Sequence, residues 1–320
     1  MRRIIVDLDV GTDDYLALLM LLNAERNNEL KIEGIVCSMG NTIVENVVNN
    51  VVRLLQIVDR TDIPVYKGPK YQFILPQTEI EGFHGKDGFG DLKLDEKLDL
   101  SIVRPEPAAV GIHEIISNNP RQISLICMAP LTNLALTIKL YDDVVEKIKD
   151  VWIMGGNCTG VGNISCAAEY NFYVDPEAAY IVLECMKCPI FILPWETCLQ
   201  PRISWEWRQT ELGTSTPELA LLLKAEENVY PPSRFDRWFP CDAILTFCYL
   251  NPDKYITKKS MHHATIELHG SKTRGQVVLN HMNNNTPNVT IIGSFDEELF
   301  KEELLKLRSR QPRKQQHTIV

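Results

Sequence analysis

The chain has 320 residues, 45% hydrophobic and 23% charged, with Gly 17 and Pro 18. That is ordinary globular composition, and it excludes collagen-like and wholly disordered classes. A formal net charge of -9 argues against a surface that coats nucleic acid, though not against a nucleoside-sized ligand. The longest apolar run, Tyr15 to Leu22, is less than half of the roughly 18 to 20 residues a membrane helix needs, so no membrane partner is expected.

The N-terminus, Met1-Arg-Arg and a short apolar run to Asp7, lacks a secretory hydrophobic region and a small-residue cleavage site. Nine cysteines, an odd number scattered from Cys37 to Cys248, read as reduced thiols of a cytoplasmic protein. The glycosylation sequons at Asn157, Asn163, Asn284 and Asn288 then carry no meaning.

Along the chain, residues 3–7 read as a buried strand and Asp14 to Ala24 as a helix. Ile32 to Cys37 is a second strand, and helical spacing of Val44, Val47, Val48, Val51, Leu54, Leu55 and Val58 predicts a helix over 43–58. Residues 71–100, rich in Gly, Asp and Lys, read as a long excursion over the strand ends. Strands are expected at Ile123–Met128, Val151–Met154 and Ile190–Leu193, with helices at Ala108–Ser117, Leu131–Lys139 and Pro176–Met186. This alternation implies a parallel sheet covered by helices on both faces. Residues 203–235 look helical and loop-rich, and 264–292 look β-rich with a turn at residues 281–285. A capping box, Ser294 with Glu297, is expected to open a last helix running to about Arg308. Residues 310–320 are basic and polar, and are expected to be a disordered tail.

The segment Asp7-Leu-Asp-Val-Gly-Thr-Asp-Asp14 is the most informative. Four carboxylates sit where a strand hands over to a helix, the place where open α/β sheets bind ligands. Such a cluster buried without partners would cost several kcal/mol or shift its pKa values. A hard divalent cation, Ca²⁺ or Mg²⁺, removes the conflict. Asp13 and Asp14 also suit simple capping of the helix N-terminus, but capping leaves Asp7 and Asp9 without a role.

These residues resemble the N-terminal signature of the inosine–uridine-preferring nucleoside hydrolases, with Val10 in place of the usual Pro. Further segments resemble that family in order: Val36-Cys-Ser-Met-Gly-Asn-Thr42, Gly82-Phe-His-Gly-Lys-Asp-Gly-Phe-Gly90, Met128-Ala-Pro-Leu-Thr-Asn133, Met154-Gly-Gly156, residues 168–179 and Cys241-Asp242. The resemblance implies an α/β fold with an open, mostly parallel, Rossmann-like sheet flanked by helices. A single catalytic domain would span 1–309, with a small β-rich C-terminal extension. It also implies a homodimer or homotetramer acting on a ribonucleoside.

The implied chemistry is calcium-dependent hydrolysis of the N-glycosidic bond, through an oxocarbenium-like ribose attacked by water. By resemblance Asp9 would bind the metal and act as general base. Asp14, Asp242 and the Met128 carbonyl would complete the ligands, and Asp7 would support them from behind. Asp13 and Asn171 would hold the 2′- and 3′-hydroxyls, and Asn163 and Glu169 the 5′ end. Asn41 and His84 occupy the family's active-site Asn and His-loop positions. Asn171 and Glu169 also suit capping of the helix near Asp175. Cys241 stands where many members carry a His that assists the leaving base, resembling a subgroup with Cys; a thiol with a pKa of about 8.5 is a poorer acid. Cys241 could equally be a buried apolar side chain. Phe235 or Trp238 would contact the base, with Tyr230 and Phe83 as further aromatic candidates, although aromatics more often fill cores.

Cys185-Met-Lys-Cys188 has zinc-like spacing but no second pair. His262, His263 and His269 follow no ligand pattern, and no dinucleotide or phosphate-loop motif occurs. Two other functions compete. A haloacid-dehalogenase-like phosphatase also places Asp-x-Asp after its first strand, yet it leaves Asp13 and Asp14 idle. A nucleoside-binding protein without turnover would make Cys241 the mark of lost chemistry.

Overall fold

Strand β1 (Arg2–Leu8) sends Ile4, Val6 and Leu8 into one apolar layer and Ile5 into the other, the period-two signature of a strand buried on both faces. In the computed structural model, residues 1–74, 82–94, 96–229, 237–282 and 284–309 are described. The expected contacts from Tyr230 and Phe235, and the tail 310–320, lie outside them. So do residues 75–81 and 95 of the expected excursion and Asn283 of the expected turn.

The strands after β1 are β2 (Leu30–Cys37), β3 (Val65–Lys67), β4 (Val103–Arg104), β5 (Ile123–Cys127), β6 (Asp150–Met154), β7 (Ile190–Leu193), β8 (Ile256–His262), β9 (Ala264–Ile266), β10 (Val277–Leu279) and β11 (Val289–Phe295). Nine form one sheet in the order β4-β3-β2-β1-β5-β6-β7-β11-β8. All its pairings are parallel except β11 with β8. β9 and β10 make a separate antiparallel ribbon.

The helices are α1 (Thr12–Arg26), α2 (Val44–Ile57), α3 (Ala108–Asn118), α4 (Thr132–Leu140), α5 (Val144–Lys147), α6 (Tyr170–Val174), α7 (Pro176–Cys185), α8 (Trp195–Cys198), α9 (Trp205–Trp207), α10 (Pro217–Val229), α11 (Cys241–Leu250), α12 (Pro252–Tyr255) and α13 (Glu297–Leu305). α1, α2, α10, α11 and α13 cover one face; α3, α4, α5 and α7 cover the other. Every residue of α11 is buried, and α1 is apolar around most of its circumference, because these two helices pack against each other beneath α10.

The chain runs outward from β1 through β2, β3 and β4, then returns to place β5 on the other side of β1. The strand order therefore reverses between β1 and β5, and a crevice opens at their carboxyl ends. Asp9 and Met128 sit there, bound into register by the Met128 amide donating to the Asp7 carbonyl at 2.8 Å.

Two sequence expectations change. The last helix has no Ser294 cap: Ser294 stays in β11, and its hydroxyl shares a hydrogen with Thr257 at 2.7 Å. Asp296 caps instead, its carboxylate accepting from the Leu299 amide at 3.0 Å. The C-terminal β region is also only partly an extension. β11 joins the main sheet beside β7, and β8, whose mostly exposed Thr-Lys-Lys-Ser-Met side chains hide any strand alternation, forms its antiparallel edge.

Candidate active site

Two chain segments far apart in sequence, residues 7–14 and the start of α11, bring carboxylates to the crevice. Asp7 ends on β1, with Oδ1 accepting from Ser38 Oγ at 2.8 Å and Asn133 Nδ2 at 3.2 Å. Its Oδ2 has no partner, and burial pushes the acid up to about 7. Asp9 follows the strand and is fully buried. Its Oδ2 accepts the Asn41 amide at 2.7 Å, and its Oδ1 accepts Asn41 Nδ2 at 3.2 Å. Gly40 makes this approach possible, since a Cβ there would lie 1.9 Å from Asp9 Oδ2.

Asp14 opens α1 and turns back over the loop before it. Its carboxylate accepts from the Gly11 amide at 2.8 Å and the Asp9 amide at 3.2 Å, so the capping reading is realised at this residue. Asp242 projects from the first turn of α11, buried, with Oδ1 unpartnered. Oxygens of Asp13, Asp14 and Asp242 lie within 4.8 Å of one another.

Burial first, and mutual repulsion second, hold Asp9 and Asp242 well above the usual carboxylate range and Asp14 at about 7. Ion pairs among the described residues bring no lysine or arginine to Asp7, Asp9, Asp13, Asp14 or Asp242. An anionic donor set with an orphaned, buried oxygen and no organic counter-charge fits a hard divalent cation.

His84 sits 3.5 Å from Asp13 Oδ1 through Nε2. Its Nδ1 accepts the Thr12 amide at 3.2 Å, which fixes the neutral tautomer with hydrogen on Nε2, facing Asp13. Burial lowers the His84 pKa, so the ring stays uncharged. Asn171 spends both amide hydrogens on the carbonyls of Met128 at 2.9 Å and Met154 at 3.2 Å. Its Oδ1 is thereby left to accept from a hydroxyl, and the Met128 carbonyl keeps its second lone pair. Glu169 caps α6, accepting from the amides of Gly156 at 2.7 Å, Asn171 at 2.9 Å and Phe172 at 3.2 Å. Burial nevertheless pushes its carboxyl up to about 7. Asn163 is exposed on the loop between β6 and α6.

Cys241 is buried at the start of α11, its thiol 3.7 Å from the Phe239 carbonyl. A sulfur hydrogen bond with Cys198, then burial, raises its pKa well above 9.0, so it remains a neutral thiol. Trp238 corrects an expectation. The ring is 1% exposed, with Nε1 donating to Glu226 at 2.8 Å and Arg208 lying over its face. Buried, with Arg208 over one face and its N–H spent on Glu226, the ring is packed as core and not as an open stacking surface in this structure.

Sequence reasoning gave no role to several residues that shape the site. Ser38 and Asn133 fix Asp7, and the Tyr170 hydroxyl donates to the Gly40 carbonyl at 2.8 Å. All three lie inside the motifs shared with the family, next to Cys37, Thr132 and Glu169. Arg208 and Glu226, a fully buried ion pair at 2.7 Å, carried no sequence signal beyond two charges in an otherwise mixed stretch.

The profile of the family described as inosine-uridine preferring nucleoside hydrolase matches residues 4–302. An uncharacterized protein of Schizosaccharomyces pombe is 29% identical, over 97% of this chain and 100% of its own length. The pyrimidine-specific ribonucleoside hydrolase RihA of Citrobacter koseri is 27% identical, over 93% of this chain and 95% of its own. A solved structure titled inosine-guanosine nucleoside hydrolase superposes with a TM-score of 0.89 at 25% identity, over 98% of this chain and 100% of that one. With the acidic crevice at the sheet's switch point and the profile matching nearly end to end, the chain belongs to the inosine-uridine preferring nucleoside hydrolase family and is an enzyme of the N-glycosidase class.

Proposed function

We propose that the protein hydrolyses the N-glycosidic bond of ribonucleosides to free base and ribose, with Ca²⁺ in the acidic crevice. The convergence of Asp13, Asp14 and Asp242 within 4.8 Å, beside a fully buried Asp9, carries the reading. Asp9, Asp14, Asp242 and the Met128 carbonyl would hold the cation, with Asp7 behind them. A bound Ca²⁺ supplies Lewis acidity toward the attacking water and charge that anchors the ribose diol.

Asp9 takes the proton of that water. Its two bonds from Asn41 aim the carboxylate, and low local polarity keeps it basic near neutrality. Asp13 accepts from one ribose hydroxyl while neutral His84 steadies its other side at 3.5 Å. Asn171 Oδ1 accepts from the neighbouring hydroxyl, and Glu169 with Asn163 holds the 5′ end. Cys241 stays protonated and is a weak acid toward the leaving base, so departure rests on ribose-side stabilisation. Nine free thiols support work in a reducing compartment such as the cytoplasm.

The relatives' names differ in base: one is pyrimidine-specific, another inosine-guanosine. The test is therefore reducing-sugar release from uridine, cytidine, inosine, adenosine and guanosine, after EDTA dialysis and after Ca²⁺ restoration. Release abolished by chelation and restored by Ca²⁺ is expected. No release from any nucleoside, with metal bound, would favour a binding protein. Asp9→Ala separates the two: the enzyme reading expects nucleoside affinity retained and turnover lost. The phosphatase reading falls with the family assignment.

A further inference from the structure

One turn of α10 grips both walls of the crevice. Asn228 Nδ2 donates to the Gly90 carbonyl at 2.7 Å, and the Gly90 amide donates to the His84 carbonyl at 2.7 Å. Gly90 lies so close that a Cβ there would fall 2.6 Å from the Ala225 carbonyl oxygen, and its φ of +73° suits glycine alone. On the opposite wall Glu226 divides its two oxygens. Oε2 accepts from Arg208 Nε at 2.7 Å, with Nη2 at the same distance as an ion-pair contact, and Oε1 takes the Trp238 indole N–H at 2.8 Å.

Trp238 stands four residues before Asp242. Its own amide donates to the Ile203 carbonyl at 3.0 Å, and Ser204 bridges Arg237. Pro240 then caps α11, with the Ile244 amide returning to its carbonyl at 3.1 Å. Indole, strand bridge and cap thus leave the Trp238–Asp242 segment little freedom of its own. Glu226 and Arg208, respectively 1% and 0% exposed, form an internal pair whose desolvation simple packing would not require. The bonds explain its retention: one carboxylate both neutralises Arg208 and fixes the indole.

We infer that Glu226 is a positioning residue, which through Trp238 sets the place of Asp242 against Asp13 and Asp14. This rests on the metal reading proposed above. Groups that orient metal ligands change metal affinity about 10- to 100-fold when removed.

The experiment is calorimetric Ca²⁺ titration of the metal-free, full-length protein, run beside thermal melts. Trp238→Phe removes the N–H donor but keeps an aromatic ring and the Arg208–Glu226 pair. Phe300→Leu, a fully buried change on α13 away from the crevice, controls for general loss of packing. Trp238→Phe is expected to bind Ca²⁺ about tenfold more weakly, while Phe300→Leu keeps the parent affinity. Glu226→Gln, which cannot accept from Arg208 and Trp238 together, should show the same weakening and serves if Trp238→Phe does not fold. Parent affinity in both Trp238→Phe and Glu226→Gln, or equal losses in Phe300→Leu, overturns the inference. A parent that binds no Ca²⁺ overturns the metal reading itself.

Discussion

Gly40 offers the sharpest test of how the crevice works. It lies outside the left-handed region, so an alanine there brings no backbone strain. By its effect on the unfolded chain alone, Gly40→Ala would stabilise the protein by roughly 0.4–1 kcal/mol. The new methyl, however, would stand 1.9 Å from Asp9 Oδ2, 2.8 Å from its Cγ and 3.0 Å from Pro130 Cδ. Against a carbon–oxygen contact of about 3.4 Å, the carboxylate must retreat by roughly 1.5 Å. That movement breaks the 2.7 Å bond from the Asn41 amide and misaims Asp9. Displacement of a reacting group on the order of 1 Å costs about 10²-fold in rate. Gly40→Ala is therefore expected to melt below the parent, because overpacking of about 1–3 kcal/mol outweighs the unfolded-state gain, and to lose about two orders of magnitude in kcat with nucleoside KM within a few-fold. Steady-state kinetics at saturating Ca²⁺ measure this. A variant that folds and turns over within about threefold of the parent would refute Asp9 as the base, because no carboxylate so displaced could serve equally.

Metal-free stability should depend on pH in a direction set by the buried acids. Asp7 and Asp14 titrate at about 7 in the folded chain against an ordinary 3.8. The folded state therefore holds protons that the unfolded state releases. The contribution of these acids is full below about pH 4 and is lost as pH climbs through 7, so melts in EDTA should be lower at pH 8 than at pH 5. Added Ca²⁺ should raise the melting temperature more at pH 8; a metal-free melting temperature that climbs across this window contradicts the burial argument. Arg208→Met leaves the buried Glu226 carboxyl without its cation, and urea titration should show a loss of about 3–5 kcal/mol. A loss under about 1 kcal/mol would mean that the pair is not shielded from solvent as described.

The sequence by itself determined the local chemistry and the class of fold. Alternation of β-branched runs with amphipathic stretches demanded a parallel sheet, and four carboxylates around Gly11 marked its working end. The motifs ordered along the chain identified the family before any contact was known. What tertiary structure decided are pairings between distant residues. Asn41 meets Asp9 across 32 positions and Asn133 meets Asp7 across 126, and only the return of the chain from β4 to β5 brings the latter pair together. Local pattern misplaced the last helix cap, because Ser294 belongs to a strand whose neighbour, β8, has mostly exposed side chains. It assigned Trp238 to the ligand because an aromatic near an acidic site looks like a platform. Packing instead turned the indole onto Glu226, since a buried N–H must find an acceptor, and the nearest one was fixed by a helix twelve residues earlier.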